Sequence, residues 1–117
     1  DVCLNKDNKT MLQPDLVVIC DKELTDGRRI NGAPDFVAEV VSPSSRKRDY
    51  MIKLNKYWKA GVREYWIIDP EKKDISTYWL QGSDTEFEVM HYDFEDKVPM
   101  RIWAGAEIDF SEFDILW

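Results

Sequence analysis

The sequence predicts an α/β fold: a mixed β-sheet with a single crossover helix packed on it. Three observations predict it. Leu16 to Cys20 and Phe36 to Val41 are nearly continuous apolar, β-branched runs, as in strands covered on both faces. One amphipathic stretch, Arg46 to Ala60, stands between two such runs. After it come alternating segments separated by short turns, the mark of hairpins.

Taken in order, Val2 to Leu4 reads as a short strand, Asn5 to Lys9 as turn chemistry, and Met11 to Gln13 as its partner. Pro14-Asp15 leads into the Leu16 strand. Asp21 to Pro34 is polar, carries Asp-Gly and Asn-Gly pairs, and reads as an exposed connection. Phe36 to Val41 follows, apolar except for Glu39. Ser42-Pro43-Ser44-Ser45 stops that strand and offers a helix cap.

The helix expected over Arg46 to Ala60 has Gly61 just past its end. Tyr50, Met51, Leu54, Tyr57 and Trp58 share its apolar face, and Lys53 falls roughly 90° from the centre of that face. Glu64 to Asp69 is the next strand, Pro70 to Lys73 a turn, and Ile75 to Leu80 the returning hairpin partner. Gln81 to Thr85 turns again before Phe87 to Tyr92. The tail, with Ile108, Phe110, Phe113, Ile115 and Leu116, reads as a last strand and a short helical turn. Because the helix links the Phe36 strand to the Glu64 strand, those two are expected to be parallel, joined by a right-handed crossover.

The chain has 117 residues, 44% of them hydrophobic and 33% charged, which is one globular domain's worth of core. We read it as a single domain over 1–117. Its apolar runs are too short to cross a bilayer. Cys3 and Cys20 form no metal-type cluster; free, half-buried thiols in a reducing cytoplasm are favoured over one disulfide. The net charge of −7 argues against a generic nucleic-acid coat. The distribution is uneven, however: Arg46 to Ala60 carries +5, and the rest of the chain −12. A basic helix in an acidic body is either a phosphate-facing surface or a solvated helix face.

Glu39 is the most informative residue. Every neighbour in Phe-Val-Ala-Glu-Val-Val calls for burial, and a buried carboxylate needs a metal, a cation or hydrogen-bond donors. The alternative is an edge strand that turns the acid to solvent. Asp15 alone is ordinary turn chemistry. Paired with Glu39 on an adjacent strand it forms the two-carboxylate arrangement that hard cations such as Mg²⁺ require. Lys53 is a solvated flank lysine unless the helix lies over the sheet and its stem brings the ammonium to the carboxylates. Ser42, Ser44 and Arg46 stand at the helix N-terminus, where they could contact a phosphate; ordinary capping by the Ser-Pro-Ser-Ser segment serves equally well. His91, Trp58, Trp66 and Trp79 read as structural.

Pro14-Asp15 followed by Glu39-Val40-Val41 resembles the Asp…Glu-x-Lys signature of the PD-(D/E)xK nucleases. Phe36 to Ser45, then Asp49, Lys53, Tyr57, Ala60-Gly61-Val62 and Glu64 to Pro70, is similar to the Uma2 (DUF820) branch, closely so from Pro14 to Pro70. The resemblance implies a restriction-endonuclease-like fold whose N-terminal helical segment the 1–117 domain lacks. It also implies a Mg²⁺- or Mn²⁺-dependent endonuclease hydrolysing DNA, with a homodimer as the assembly for cutting both strands. Asp15, Glu39 and Lys53 would be catalytic, and Asp15, Glu39 and the Val40 carbonyl would hold the metal. Ser42, Ser44, Arg46 and Tyr57 would meet substrate. Where the superfamily has its strand lysine, this chain has the inert Val41, and Lys53 matches the lysine that the Uma2 branch carries on the following helix. Two other readings stand beside this one. The first is a non-catalytic nucleic-acid-binding or protein-interaction domain, favoured by the acidic pI and Val41; the second is a fold-only module in which Glu39 and Lys53 merely satisfy each other.

Overall fold

Alternating apolar runs and one apolar helical stripe resolve into a sheet with the helix over part of one face and the C-terminal segment over the other. The computed structural model describes residues 2–3, 11–12, 16–18, 30–42, 47–82 and 85–112, with side chains over 32–42, 49–82 and 85–111. In chain order the strands are β1 (Val2–Cys3), β2 (Met11–Leu12), β3 (Leu16–Val18), β4 (Ile30–Asn31) and β5 (Phe36–Val40). Helix α1 (Lys47–Ala60) follows, then β6 (Glu64–Asp69), β7 (Asp74–Trp79), β8 (Glu88–Asp93), β9 (Lys97–Pro99) and β10 (Glu107–Asp109). A 3₁₀ turn, Phe110–Glu112, comes last.

The central sheet has five strands in the order β3-β5-β6-β7-β8. β5 and β6, the strands that α1 connects, are parallel, and the other neighbours are antiparallel. This is the mixed sheet with a crossover helix that the sequence predicts.

The period of two along each strand divides the core into two clusters. On one face α1 lays Tyr50, Leu54 and Tyr57 against the sheet; Leu54 and Tyr57 pack with Val37, Val62, Tyr65, Tyr78 and Leu80. Burying Leu54 alone stabilises the fold by about 2 kcal/mol. On the other face Phe36, Ala38, Trp66 and Ile75 pack with Val98, Ile102 and Phe110 from the C-terminal segment. The Phe36 and Trp66 rings meet edge to face, with centroids 5.1 Å apart.

Helix α1 ends where expected. Gly61 adopts φ +102°, Val62 N–H donates to the Tyr57 carbonyl at 3.0 Å, and Gly61 N–H donates to that of Trp58 at 3.2 Å. That pattern closes the last turn, and it needs a residue without a Cβ penalty at position 61.

Several expectations need correction. The connection 21–34 contains β4, which pairs in parallel with β1, because Ile30-Asn31 adds a strand to the small β2-β1-β4 sheet. Met51, read as core, is 38% exposed, because the buried stripe of α1 is narrow and passes through Tyr50, Leu54 and Tyr57. β9 was not anticipated, and it pairs with β10 to form the hairpin that covers the Trp66 face. Cys20, Phe113, Ile115 and Leu116 lie outside the described residues. Among those described, no helix is long and apolar enough to cross a membrane.

The C-terminal segment is tied down by a second buried acid. Glu64 is 1% exposed and faces away from α1. Its Oε2 accepts Trp66 Nε1–H at 2.7 Å, and its Oε1 accepts the backbone N–H groups of Arg101 and Ile102 at 2.9 and 3.0 Å. Three N–H donors satisfy this carboxylate without a cation among the described residues.

Candidate active site

Glu39 lies on the α1 side of β5, between β3 and β6 in the central sheet, and is 3% exposed. Burial on that scale demands partners, and α1 supplies them from one flank. Lys53 Nζ donates to Glu39 Oε2 at 3.1 Å, and Tyr57 OH donates to Oε1 at 3.2 Å. Lys53 and Tyr57 are four positions apart and so stack on one side of the helix. One turn earlier, Tyr50 OH donates to the Val40 carbonyl at 3.3 Å, and Lys53 Nζ lies 5.5 Å from the Tyr50 ring centroid. The ammonium is therefore held between a carboxylate and an aromatic face, while its side chain keeps 31% exposure.

The surroundings are dry. Tyr65, beside Tyr57 with ring centroids 5.1 Å apart, is fully buried, and its hydroxyl finds no hydrogen-bond partner among the described residues. Burial, followed by the negative charge of Glu39, pushes the Tyr65 phenol far above its ordinary range, and burial raises that of Tyr78. Both stay neutral phenols near pH 7.

The sequence-predicted residues fall into three groups. Glu39, Lys53 and Tyr57 come together, with the Val40 carbonyl next to them. Tyr57, expected to meet substrate, is fully buried, and its hydroxyl meets the carboxylate from beneath. Ser42 is exposed and lines a cleft of about 350 Å³ that opens between the first turns of α1 and the ends of β6 and β7. Asp15, Ser44 and Arg46 lie outside the described residues. The antiparallel register pairs Leu16 with Ala38, so β3 begins beside Glu39. Among the described residues no three His, Cys, Asp or Glu side chains converge as a metal-binding group.

Sequence reasoning missed Tyr50 and Tyr65. Tyr50 looked like core, and only the helix's seating over β5 shows its hydroxyl on Val40. The signal for Tyr65 was its place in an apolar strand, which says nothing of a hydroxyl left without a partner.

The Uma2 family, described as "Putative restriction endonuclease", matches residues 1–109. A solved structure described as a "putative nuclease belonging to DUF820" from Anabaena variabilis ATCC 29413 superposes with a TM-score of 0.64 at 23% identity. The match covers 86% of this chain and 57% of that one, so the chain spans little more than half of that protein. At that identity the likeness speaks for the fold. No curated protein matches the chain. With a restriction-endonuclease-like sheet, a helix-borne lysine on its strand acid, and a family match over residues 1–109, the chain belongs to the Uma2 family.

Proposed function

We propose that the chain is the core of a metal-dependent endonuclease that hydrolyses DNA phosphodiester bonds, with Glu39 and Lys53 at its centre. The observation that carries this reading is the 3.1 Å approach of Lys53 Nζ to Glu39 Oε2. It sets a cation and an acid side by side in a water-poor site, the pairing that phosphate chemistry uses.

The donor set suits Mg²⁺ or Mn²⁺. Hard cations take oxygen ligands, and Mg²⁺ keeps most of its waters while binding one or two carboxylates. Glu39 and the Val40 carbonyl are two such oxygens, and Asp15, next to Leu16 in sequence, is the proposed third. When bound, the metal would supply Lewis acidity toward the phosphate and a more acidic water. The chain's own residues do the rest. Tyr57 holds Oε1 of Glu39, which fixes the carboxylate's orientation. Lys53 orients the attacking water or meets charge as it builds on the phosphate oxygens. Ser42, with Ser44 and Arg46, receives the neighbouring phosphate. Tyr57 thus acts on Glu39 and not on substrate. Cutting both strands would take two copies, and the proposed setting is the cytoplasm.

The same geometry favours a second reading. Both oxygens of Glu39 have protein partners, so the pair is satisfied as it stands and the fold could persist without chemistry. Incubating the full chain with supercoiled DNA and Mg²⁺ or Mn²⁺ separates the two. Cleavage that a chelator abolishes supports the nuclease; intact DNA under every metal supports the fold-only module.

A further inference from the structure

Apart from Ser42, the residues that line the cleft beside the candidate active site are left unused by the nuclease reading. Register explains how it arises. Glu39 pairs with Ile67, Ile67 with Ser76, and Ser76 with His91, so these four residues form one row across β5, β6, β7 and β8. All four point to the α1 side. Three strand spacings put His91 roughly 14 Å from Glu39 along that row. α1 covers the Glu39 end and leaves the rest open. Ile67 and Ser76 floor the cleft, Tyr50 and Met51 form its near wall, and His91 stands at the far side. Glu39 and Lys53 do not line it, but Tyr50 and Ile67, which neighbour them, do.

The lining selects a ligand class. A volume of about 350 Å³ is at the small end of ligand pockets. Asp69, Glu71 and Asp74 outnumber Lys72 at its rim, which disfavours a phosphate inside it. No metal-binding group forms among the described residues. What remains suits a flat, neutral, hydrogen-bonding ring. Met51, 38% exposed, offers thioether surface for one of its faces, with the buried Tyr50 behind it. Ser76 Oγ and His91 Nδ1 are 3.1 Å apart in a hydrogen bond, which leaves Nε2 of an exposed imidazole for a ligand edge. Carboxylates at the rim can accept the exocyclic amine of a base.

We propose that this cleft binds one unstacked nucleobase of the substrate strand, with Ser76 and His91 reading its edge. The proposal rests on the nuclease reading and deepens it, because a base can enter only from single-stranded or locally opened DNA.

His91 is the chain's single histidine, so its imidazole resonances report on the cleft without ambiguity. The test is a titration of the full chain, without metal, with cytidine and adenosine 5′-monophosphates and with inorganic phosphate as control. Shifts of the His91 signals by a nucleotide and not by phosphate are expected. Ser76→Ala should weaken that binding by about five- to tenfold, one hydrogen bond's worth. Met51→Glu, which replaces the apolar near wall with a charge at an exposed position, should abolish it. Glu39→Gln should leave it unchanged, so a dead nuclease centre and an empty cleft give different results. Three results would overturn the proposal: no His91 shift with any nucleotide at millimolar concentration, an equal shift with inorganic phosphate, or nucleotide binding unaffected by both Ser76→Ala and Met51→Glu.

Discussion

Lys53 and Glu39 are 14 positions apart, on a helix and on a strand, yet Nζ and Oε2 lie 3.1 Å from each other. The contact follows from the crossover. Connecting parallel β5 to β6 through α1 lays the helix back over β5, and a lysine at the edge of the apolar stripe then overhangs the strand's acid. Its long stem is what carries a charge from the helix surface to a carboxylate that is 4% exposed.

If Glu39 is a metal ligand, Glu39→Gln should remove metal binding with little change in fold. A glutamine keeps an oxygen to accept the Tyr57 hydroxyl but withdraws the negative charge. Calorimetry with Mn²⁺ should show binding by wild type and none by the variant. Metal-dependent cleavage should fall by more than about 100-fold, beyond the 10- to 100-fold typical of outer partners in metal sites. Equal Mn²⁺ affinity in both proteins would remove Glu39 from the metal site.

Lys53→Met keeps most of the stem and deletes the charge. Breaking a fully buried pair costs about 3–5 kcal/mol, but Lys53 is partly exposed and solvent screens it, so a loss nearer about 1–2 kcal/mol is expected from denaturant unfolding. Cleavage should slow while Mn²⁺ affinity stays within a few-fold of wild type. A stability loss with unchanged cleavage would mark the pair as structural only.

The sheet and its helix were legible because they rest on periodicity. Phe36 to Val40 and Glu64 to Asp69 are apolar on both faces, Tyr50, Leu54 and Tyr57 recur at helical spacing, and Gly61 marks the stop. Glu39 was legible for the converse reason, as an acid in an apolar run. Glu64 is just as buried but stands at the first position of its strand, after the charged Arg63, so nothing in its neighbourhood announced it. The Ser76–His91 pair depends on the β7–β8 register, which is set by the turn between the strands and not by either residue. β9, the partner of the last strand, was missed because it is three residues long, too short for alternation to show.

Glu64→Ala should loosen the C-terminal segment. It leaves the N–H groups of Trp66, Arg101 and Ile102 without their acceptor, and Trp66 and Ile102 are buried. A loss of about 3 kcal/mol or more is expected, with a change in tryptophan emission. Because Glu64 faces away from α1, Mn²⁺ binding at Glu39 should survive in whatever fraction stays folded. Glu64→Gln should restore only part of the stability, since its amide N–H₂ cannot accept from Trp66 Nε1 while its oxygen serves the backbone donors.

Tyr65 carries a hydroxyl that the fold has buried beside Glu39 and left without a partner among the described residues. A lone buried hydroxyl costs roughly 1–3 kcal/mol, so Tyr65→Phe should leave thermal stability unchanged or raise it, unlike most core substitutions. The pH dependence follows from the raised phenol, whose ionisation is opposed first by burial and then by the Glu39 charge. Above about pH 10 the unfolded chain releases this proton while the folded chain retains it. The folded state then binds more protons, so stability is intact below that pH and falls as pH rises above it. Tyr65→Phe removes that difference and should flatten the alkaline limb of the stability curve. Tyr78, also raised by burial, should keep part of the slope. An alkaline limb that is as steep in Tyr65→Phe as in wild type would mean that Tyr65 already ionises freely in the folded protein.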